Sequence, residues 1–355
     1  MAGTMRAFVI NKPHETAVVE KPIPTPGPGE AVVKTTAALI CTSDVHTVNG
    51  AMPVEPGRTL GHEAVGVIHS LGSEITGFEP GQRVTIGAVT PCFQCNACQR
   101  GFTSQCGGPL GGYRYTMQMD GNMAEYFVVP FAQANLTVTP QEIPDSTAVY
   151  CCDMLSTGFV GVEHSYLQFG ETVAIFAQGP VGLSATIGAQ LMGAGQIIAV
   201  ESRPERQALA LKFGATDIVD FTKGDPVEQI MALTGGAGVD AAIEAFGFPA
   251  TFEAAMSVTK AGGRVSNIGY HGEVPEPLQL HLDAWGLGMN DKAIHTALCP
   301  GGSERMTRLL RLLGTGRIDP TPMTTHTFSF DRIEEAFDLM TSKGDGIIKP
   351  LITFG

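Results

Sequence analysis

Basic residues are scarce in this 355-residue chain, where 22 lysines and arginines stand against 35 aspartates and glutamates for a formal net charge of −13. That balance would repel a nucleic acid or an anionic membrane surface, and it argues against both as partners. Long apolar runs are missing as well, none reaching the roughly 18 residues that a membrane span needs. The opening "MAGTMRAFVINKPHE" has neither an extended apolar segment nor a small-residue cleavage site, so a cytoplasmic protein is expected. Repeats, low-complexity tracts and linkers are absent. With 43% hydrophobic and only 16% charged residues, the chain buries a large interior, and its length predicts two domains acting on a small molecule.

Against this background the cysteines are concentrated. Four of the eight, Cys92, Cys95, Cys98 and Cys106, fall within "PCFQCNACQRGFTSQC", spaced C-x2-C-x2-C-x7-C. A reducing cytosol keeps thiols free, which favours a metal over disulfides. Four thiolates at this spacing suit one tetrahedral zinc and leave no open position, so the site is structural. A disulfide pair, an iron–sulfur cluster and unliganded core cysteines are the alternatives. The segment has few apolar residues and draws its order from the ion.

The first half alternates short β-rich runs with Gly/Pro turns ("MRAFVI", "EAVVKTTAALI", "EAVGVIHSLG", "RVTIGAV", "AEYFVVP"), which predicts an all-β, barrel-like domain over 1–156. From 157 to 297 strands such as "ETVAIFA" and "QIIAVE" alternate with helical stretches such as "PVGLSATIGAQLMG", the pattern of a parallel sheet built from βαβ units. Residues 298–355 complete the first domain: two capped amphipathic helices are expected, the second with Asp331 three residues before Glu334, then a last strand in "IIKPLITFG".

A dinucleotide turn is predicted at "AQGPVG", after a strand and opening a helix. Gly179 admits a pyrophosphate, Pro180 and Val181 begin the helix whose N-terminus faces it, and Gly182 lets that helix pack on the strand. Ala177 replaces the first glycine of the usual fingerprint, which on its own equally describes a plain strand–turn–helix. Glu201 ends the next strand 22 residues after Gly179, where an acid bonds a ribose hydroxyl and favours NAD. Ser202 and Arg203, which follow, suit the 2′-phosphate of NADP instead.

A second donor set is scattered through "CTSDVH", "GHEAVG" and "CDMLSTG". One thiolate, one imidazole and one carboxylate would leave a zinc position open for catalysis. Spacing alone does not join them, since Cys41 and His62 read equally as core residues.

"GHEAVG", the four-cysteine loop and "GPVGL", in this order, resemble the medium-chain zinc-dependent alcohol dehydrogenases over the whole chain. Within that family "CTSDVHTV", "DMLSTGF", "IIAVESRP" and "LCPGG" are similar to the tetrameric microbial secondary-alcohol dehydrogenases. The resemblance implies a GroES-like β-barrel catalytic domain plus a Rossmann doubly wound domain, and a homotetramer. It further implies Cys41, His62 and Asp153 as catalytic zinc ligands, with Asp153 preferred to Cys152, and Glu63 as a nearby or exchangeable ligand. Ser43 and His46 are implied as a proton path, and Val89, Tyr113 and Cys299 as pocket walls. The expected reaction is hydride transfer between nicotinamide and small secondary alcohols or ketones, with two zinc ions per chain. The rivals are a polyol or primary-alcohol dehydrogenase on the same scaffold and a non-catalytic cofactor-binding relative. The chain departs from that branch in three ways: it keeps the four-cysteine lobe, it has Glu201 where those NADP-preferring enzymes have glycine, and Tyr113 replaces a tryptophan.

Overall fold

The structure, a computed structural model, describes residues 3–273 and 277–355. It divides into two compact units, Met1–Ser156 with Cys299–Gly355, and Thr157–Leu298. The first unit begins with β1 (Thr4–Lys12), β2 (Glu15–Pro22), β3 (Ala31–Leu39), β4 (Arg58–Thr59), β5 (Ala64–Leu71), β6 (Arg83–Thr85), β7 (Tyr126–Val129) and β8 (Thr137–Val138). The second holds β9 (Thr172–Phe176), β10 (Gln196–Val200), β11 (Asp217–Val219), β12 (Val239–Glu244), β13 (Thr259–Asn267) and β14 (Ala293–Thr296). The chain then returns to the first unit for β15 (Thr324–Ser329) and β16 (Lys349–Thr353).

Among the described residues, the first unit contains a small sheet ordered β2-β1-β4 and a larger one ordered β15-β16-β3-β5-β6-β8, with β7 also paired to β3. Its core gathers Phe8, Val33, Ile40, Leu60, Ile86, Phe127 and Ile352 from both sheets, so the short alternating runs form the expected β-rich domain, with short helices such as Thr42–Val48 added to it. The closing run is the strand β16, antiparallel to β3 with Leu351 opposite Leu39.

The second unit is a parallel sheet ordered β11-β10-β9-β12-β13-β14. Its central strands read as nearly continuous apolar runs because both faces are covered. The strand order reverses between β9 and β12, the place where open α/β sheets bind ligands beyond the strand ends. The turn after β9 is "AQGPVG".

Both expected helix caps are corrected. Helix Ser303–Gly314 starts from Gly302 and helix Ile333–Ser342 from Arg332, neither with a side-chain cap bond. Asp331 sits in a preceding 3-10 turn, where its carboxylate pairs with Arg6 of β1. That tertiary ion pair displaces the local capping box.

Candidate active site

Pairing of β3 with β5 creates the first cluster. Leu39 N–H donates to Glu63 O at 3.0 Å, which sets Cys41, just past β3, beside His62 and Glu63, just before β5. Gly61 makes the entry possible: its φ is +96°, and a Cβ there would stand 2.5 Å from Met123 Cγ. Ala88 N–H donates to Cys152 O at 2.8 Å, which fixes the approach of Asp153. Ligand atoms of Cys41, His62, Glu63 and Asp153 all lie within 4.8 Å of one another. His62 Nε2 is 3.3 Å from Asp153 Oδ2 and 3.7 Å from Glu63 Oε1, and Cys41 Sγ is 3.9 Å from Asp153 Oδ2.

The donor set suits a divalent metal of zinc type: soft sulfur, imidazole nitrogen and carboxylate oxygen converge, and Glu63 Oε2 is buried with no hydrogen-bond partner. Cys152 turns elsewhere, its thiol donating to Ala64 O at 3.5 Å. Burial, helped by the charges of Cys151 and Glu63, pushes that thiol well above its ordinary range, so it stays protonated.

Around the cluster stand groups that orient it. Asp44 Oδ2 accepts the Cys41 N–H at 2.9 Å, while its Oδ1 is 3.3 Å from His62 Nδ1. Tyr113 Oη is 3.0 Å from the same Nδ1. Ser43 Oγ is 3.3 Å from His62 Nε2, and His46 lies one turn further along helix Thr42–Val48. Burial opposes a charge on His62, yet Tyr113, Asp44 and Asp153 together raise its pKa well above normal. Lys349 Nζ, fully buried, donates to Glu63 Oε1 at 2.6 Å.

The three expected wall residues come into one neighbourhood through backbone contacts. Thr90 N–H donates to Gly112 O at 2.9 Å, and Val89 Cγ1 would meet a Cβ on Gly112 at 2.9 Å, so Val89 packs beside the segment that carries Tyr113. Gly301, two residues after the buried Cys299, lies against Val89 O.

The four sulfurs of Cys92, Cys95, Cys98 and Cys106 also lie within 4.8 Å of one another, and all eight cysteines are free of disulfides. Backbone N–H groups of Gln94 and Cys95 donate to Cys92 Sγ at 3.4 and 3.3 Å. Cys106 Sγ accepts from Cys92 N–H at 3.3 Å and from the Arg114 guanidinium at 3.2 Å. Such donors stabilise thiolates. The backbone N–H groups of Cys98 and Gly107 lower Cys95 to about 6, whereas burial and Cys95 push Cys98 up to about 12.

At the dinucleotide turn, Ala177 takes a left-handed φ of +70° without a glycine's freedom. A Cβ on Gly182 would lie 1.9 Å from Ala177 O, while one on Gly179 would meet nothing within 4 Å. The helix is therefore pressed onto the strand end, with open space at Gly179 for a ligand's approach. Pro180 is its first residue and Val181 its second. The Glu201 carboxylate, expected to be free for a ribose, is braced by three backbone N–H groups: Gln178 at 3.2 Å, Ser202 at 2.8 Å and Arg203 at 3.0 Å. Arg206 Nη1 approaches it at 3.7 Å.

Sequence reasoning missed Asp44, Lys349 and Arg114. The signals were an acid three residues after Cys41 and a lysine inside the apolar run "IIKPLITF"; Arg114 carried none.

Residues 27–141 match the family model for the alcohol dehydrogenase GroES-like domain, and residues 180–315 that for zinc-binding dehydrogenase. An alcohol dehydrogenase of Cupriavidus necator is 44% identical over 98% of both chains. An NADP-dependent isopropanol dehydrogenase of Thermoanaerobacter brockii is 44% identical, covering 98% of this chain and 99% of its own. Among solved structures, an alcohol dehydrogenase from Thermus sp. ATN1 superposes with a TM-score of 0.88 at 31% identity, over 99% of this chain and all of that one. With two domain models matched in order and full-length relatives at this identity, the chain belongs to the zinc-dependent alcohol dehydrogenases.

Proposed function

We propose that the protein is a nicotinamide-dependent secondary-alcohol dehydrogenase and ketone reductase with two zinc sites. The observation that carries this reading is the convergence of Cys41, His62, Glu63 and Asp153 within 4.8 Å. Cys41, His62 and Asp153 would hold the catalytic ion, with Glu63 as the exchangeable donor; when bound, zinc supplies Lewis acidity toward the alcohol or carbonyl oxygen. Cys92, Cys95, Cys98 and Cys106 would hold the structural one.

The chain's own residues supply the rest. Ser43 Oγ, beside the cluster, takes the alcohol's proton and passes it toward His46 or the cofactor ribose. Val89, Tyr113 and Cys299 form a mostly apolar wall with no charged partner for a carboxylate or phosphate, which favours small uncharged substrates. One methylene in such a pocket is worth about 1–3 kcal/mol, so the wall decides among alcohols. The Thermoanaerobacter relative's name supports a secondary alcohol.

For the cofactor we favour NAD. The same relative is named for NADP, but the carboxylate of Glu201 stands where a 2′-phosphate would bring negative charge. A homotetramer is the proposed assembly, to be tested by light scattering as four times the 37.3 kDa chain mass.

Small alcohols and ketones assayed separately with NAD(H) and NADP(H) test the reading. The expected result is a higher kcat/KM for 2-propanol or 2-butanol than for ethanol, with measurable reduction of acetophenone. Ethanol or sorbitol outperforming every secondary mono-alcohol overturns it.

A further inference from the structure

We propose that Tyr113 is a positioning residue of the metal site: its phenol oxygen is a second acceptor for the His62 Nδ1 proton, shared with Asp44. The inference rests on the reading of His62 as a metal ligand.

His62 Nε2 faces Asp153 and Glu63 inside the donor cluster. With Nε2 committed there, the single proton of a neutral imidazole must sit on Nδ1. Two oxygens face that nitrogen, Tyr113 Oη at 3.0 Å and Asp44 Oδ1 at 3.3 Å, and the tyrosine is the nearer. The Asp44 carboxylate is already engaged through Oδ2 by the Cys41 N–H, which ties its position to the helix start. The two rings meet edge to face, with centroids 5.1 Å apart and planes at 70°. This contact fixes the tilt of the imidazole, which a carboxylate held by one oxygen does not.

A tyrosine phenol is a neutral hydroxyl at neutral pH, with lone pairs free to accept an N–H. Ser43 Oγ stands 3.3 Å from Nε2 of the same imidazole, so the orienting phenol and the side chain assigned to proton movement meet on one ring. A tryptophan, expected here from the resemblance, is a donor only and could not accept the Nδ1 proton. Tyr113 therefore adds an interaction as well as changing the size of the wall.

Tyr113→Phe separates the two roles, since it keeps the ring and removes the oxygen. Zinc release to a chromogenic chelator is measured on the full-length protein, together with the visible absorption of protein loaded with cobalt. Tyr113→Phe should release one of two zinc ions on the order of tenfold faster, as loss of an outer partner of a metal-bound histidine does, and should shift the cobalt bands. The slower ion, held by the four cysteines, should leave at the wild-type rate and so report that the fold is intact. Asp44→Asn should also speed release, and the double variant should show less than the product of the two effects, because both act on one proton. Release and spectra unchanged in Tyr113→Phe overturn the proposal and leave Tyr113 as a wall. A wild-type protein that binds only one zinc overturns the metal reading itself, and this inference with it.

Discussion

Lys349 Nζ donates to Glu63 Oε1 at 2.6 Å, and neither side chain reaches solvent. Burial alone would strip the lysine of its proton, but Glu63 and Cys41 outweigh it and raise its pKa. Burial and Asp153 push Glu63 upward against the pull of Lys349. The ammonium is thus a fixed counter-charge to the carboxylates of Glu63 and Asp153 in the donor cluster.

Breaking such a pair strands a buried charge, at about 3–5 kcal/mol. Lys349→Met should therefore lower the unfolding midpoint of metal-free protein sharply in a urea titration. Glu63→Gln combined with Lys349→Met should recover most of the loss. Equal midpoints for Lys349→Met and wild type would show the pair to be dispensable.

Cys106→Ser removes the sulfur that both Cys92 N–H and Arg114 support. Closed thiolate sites contribute to folding, so this variant should bind one zinc in place of two by metal analysis and melt at a lower temperature. The remaining ion should still be lost on further replacement of His62.

The same lobe gives a pH signature once its metal is removed. Cys95, lowered to about 6 by backbone N–H groups, is a thiolate above that pH and a thiol below it. Iodoacetamide should label it first at neutrality, with a rate that falls as pH drops through about 6. Cys98, pushed up to about 12 by burial, should label last of the four. Peptide mass mapping across pH checks the order, and equal rates at pH 7 would contradict it.

Gly179 and Gly182 should respond oppositely to one methyl group. In Gly179→Ala the new carbon meets nothing within the chain, whereas in Gly182→Ala it lies 1.9 Å from Ala177 O. The first should keep wild-type stability and lose cofactor affinity; the second should lose stability as well. Melting curves and NADH fluorescence titrations read both, and undiminished NADH binding by Gly179→Ala would move the pyrophosphate away from this turn.

Glu201→Gln is the sharper test of cofactor choice than a change to glycine, because the amide oxygen can still accept the N–H groups of Ser202 and Arg203, and only the bond from Gln178 N–H is lost. Loss of the charge should shift the ratio of kcat/KM values toward NADP on the order of tenfold, about 1.4 kcal/mol. A wild-type preference for NADP would assign the choice to Ser202, Arg203 and Arg206 instead.

What was legible in the sequence was local or periodic. The parallel sheet followed from apolar runs such as "TVAIF" and "QIIAV", and the spacing of Cys92, Cys95, Cys98 and Cys106 already held their geometry. Gly182's role needed only the strand–turn–helix context. The Lys349–Glu63 pair spans 286 positions, and no pattern in either segment points to the other. Asp331 fits a capping motif but is drawn off by Arg6, a partner that local propensity cannot weigh. Tyr113 could be read for size and not for the direction of its hydroxyl, which depends on how the 112–113 segment lies against Val89 and Thr90.

The return of β16 to β3 has a consequence for biosynthesis. The parallel-sheet unit is encoded as one uninterrupted stretch and has all its strands once Leu298 has emerged from the ribosome. The unit that carries the donor cluster must wait for Lys349–Thr353, which pairs with Ala37–Leu39 and delivers the counter-charge of Glu63. In chain order the strands β1–β8 precede the parallel-sheet unit and β15 and β16 follow it, so a nascent chain stalled after the second unit would hold Cys41, His62 and Glu63 on a sheet still lacking its last two strands.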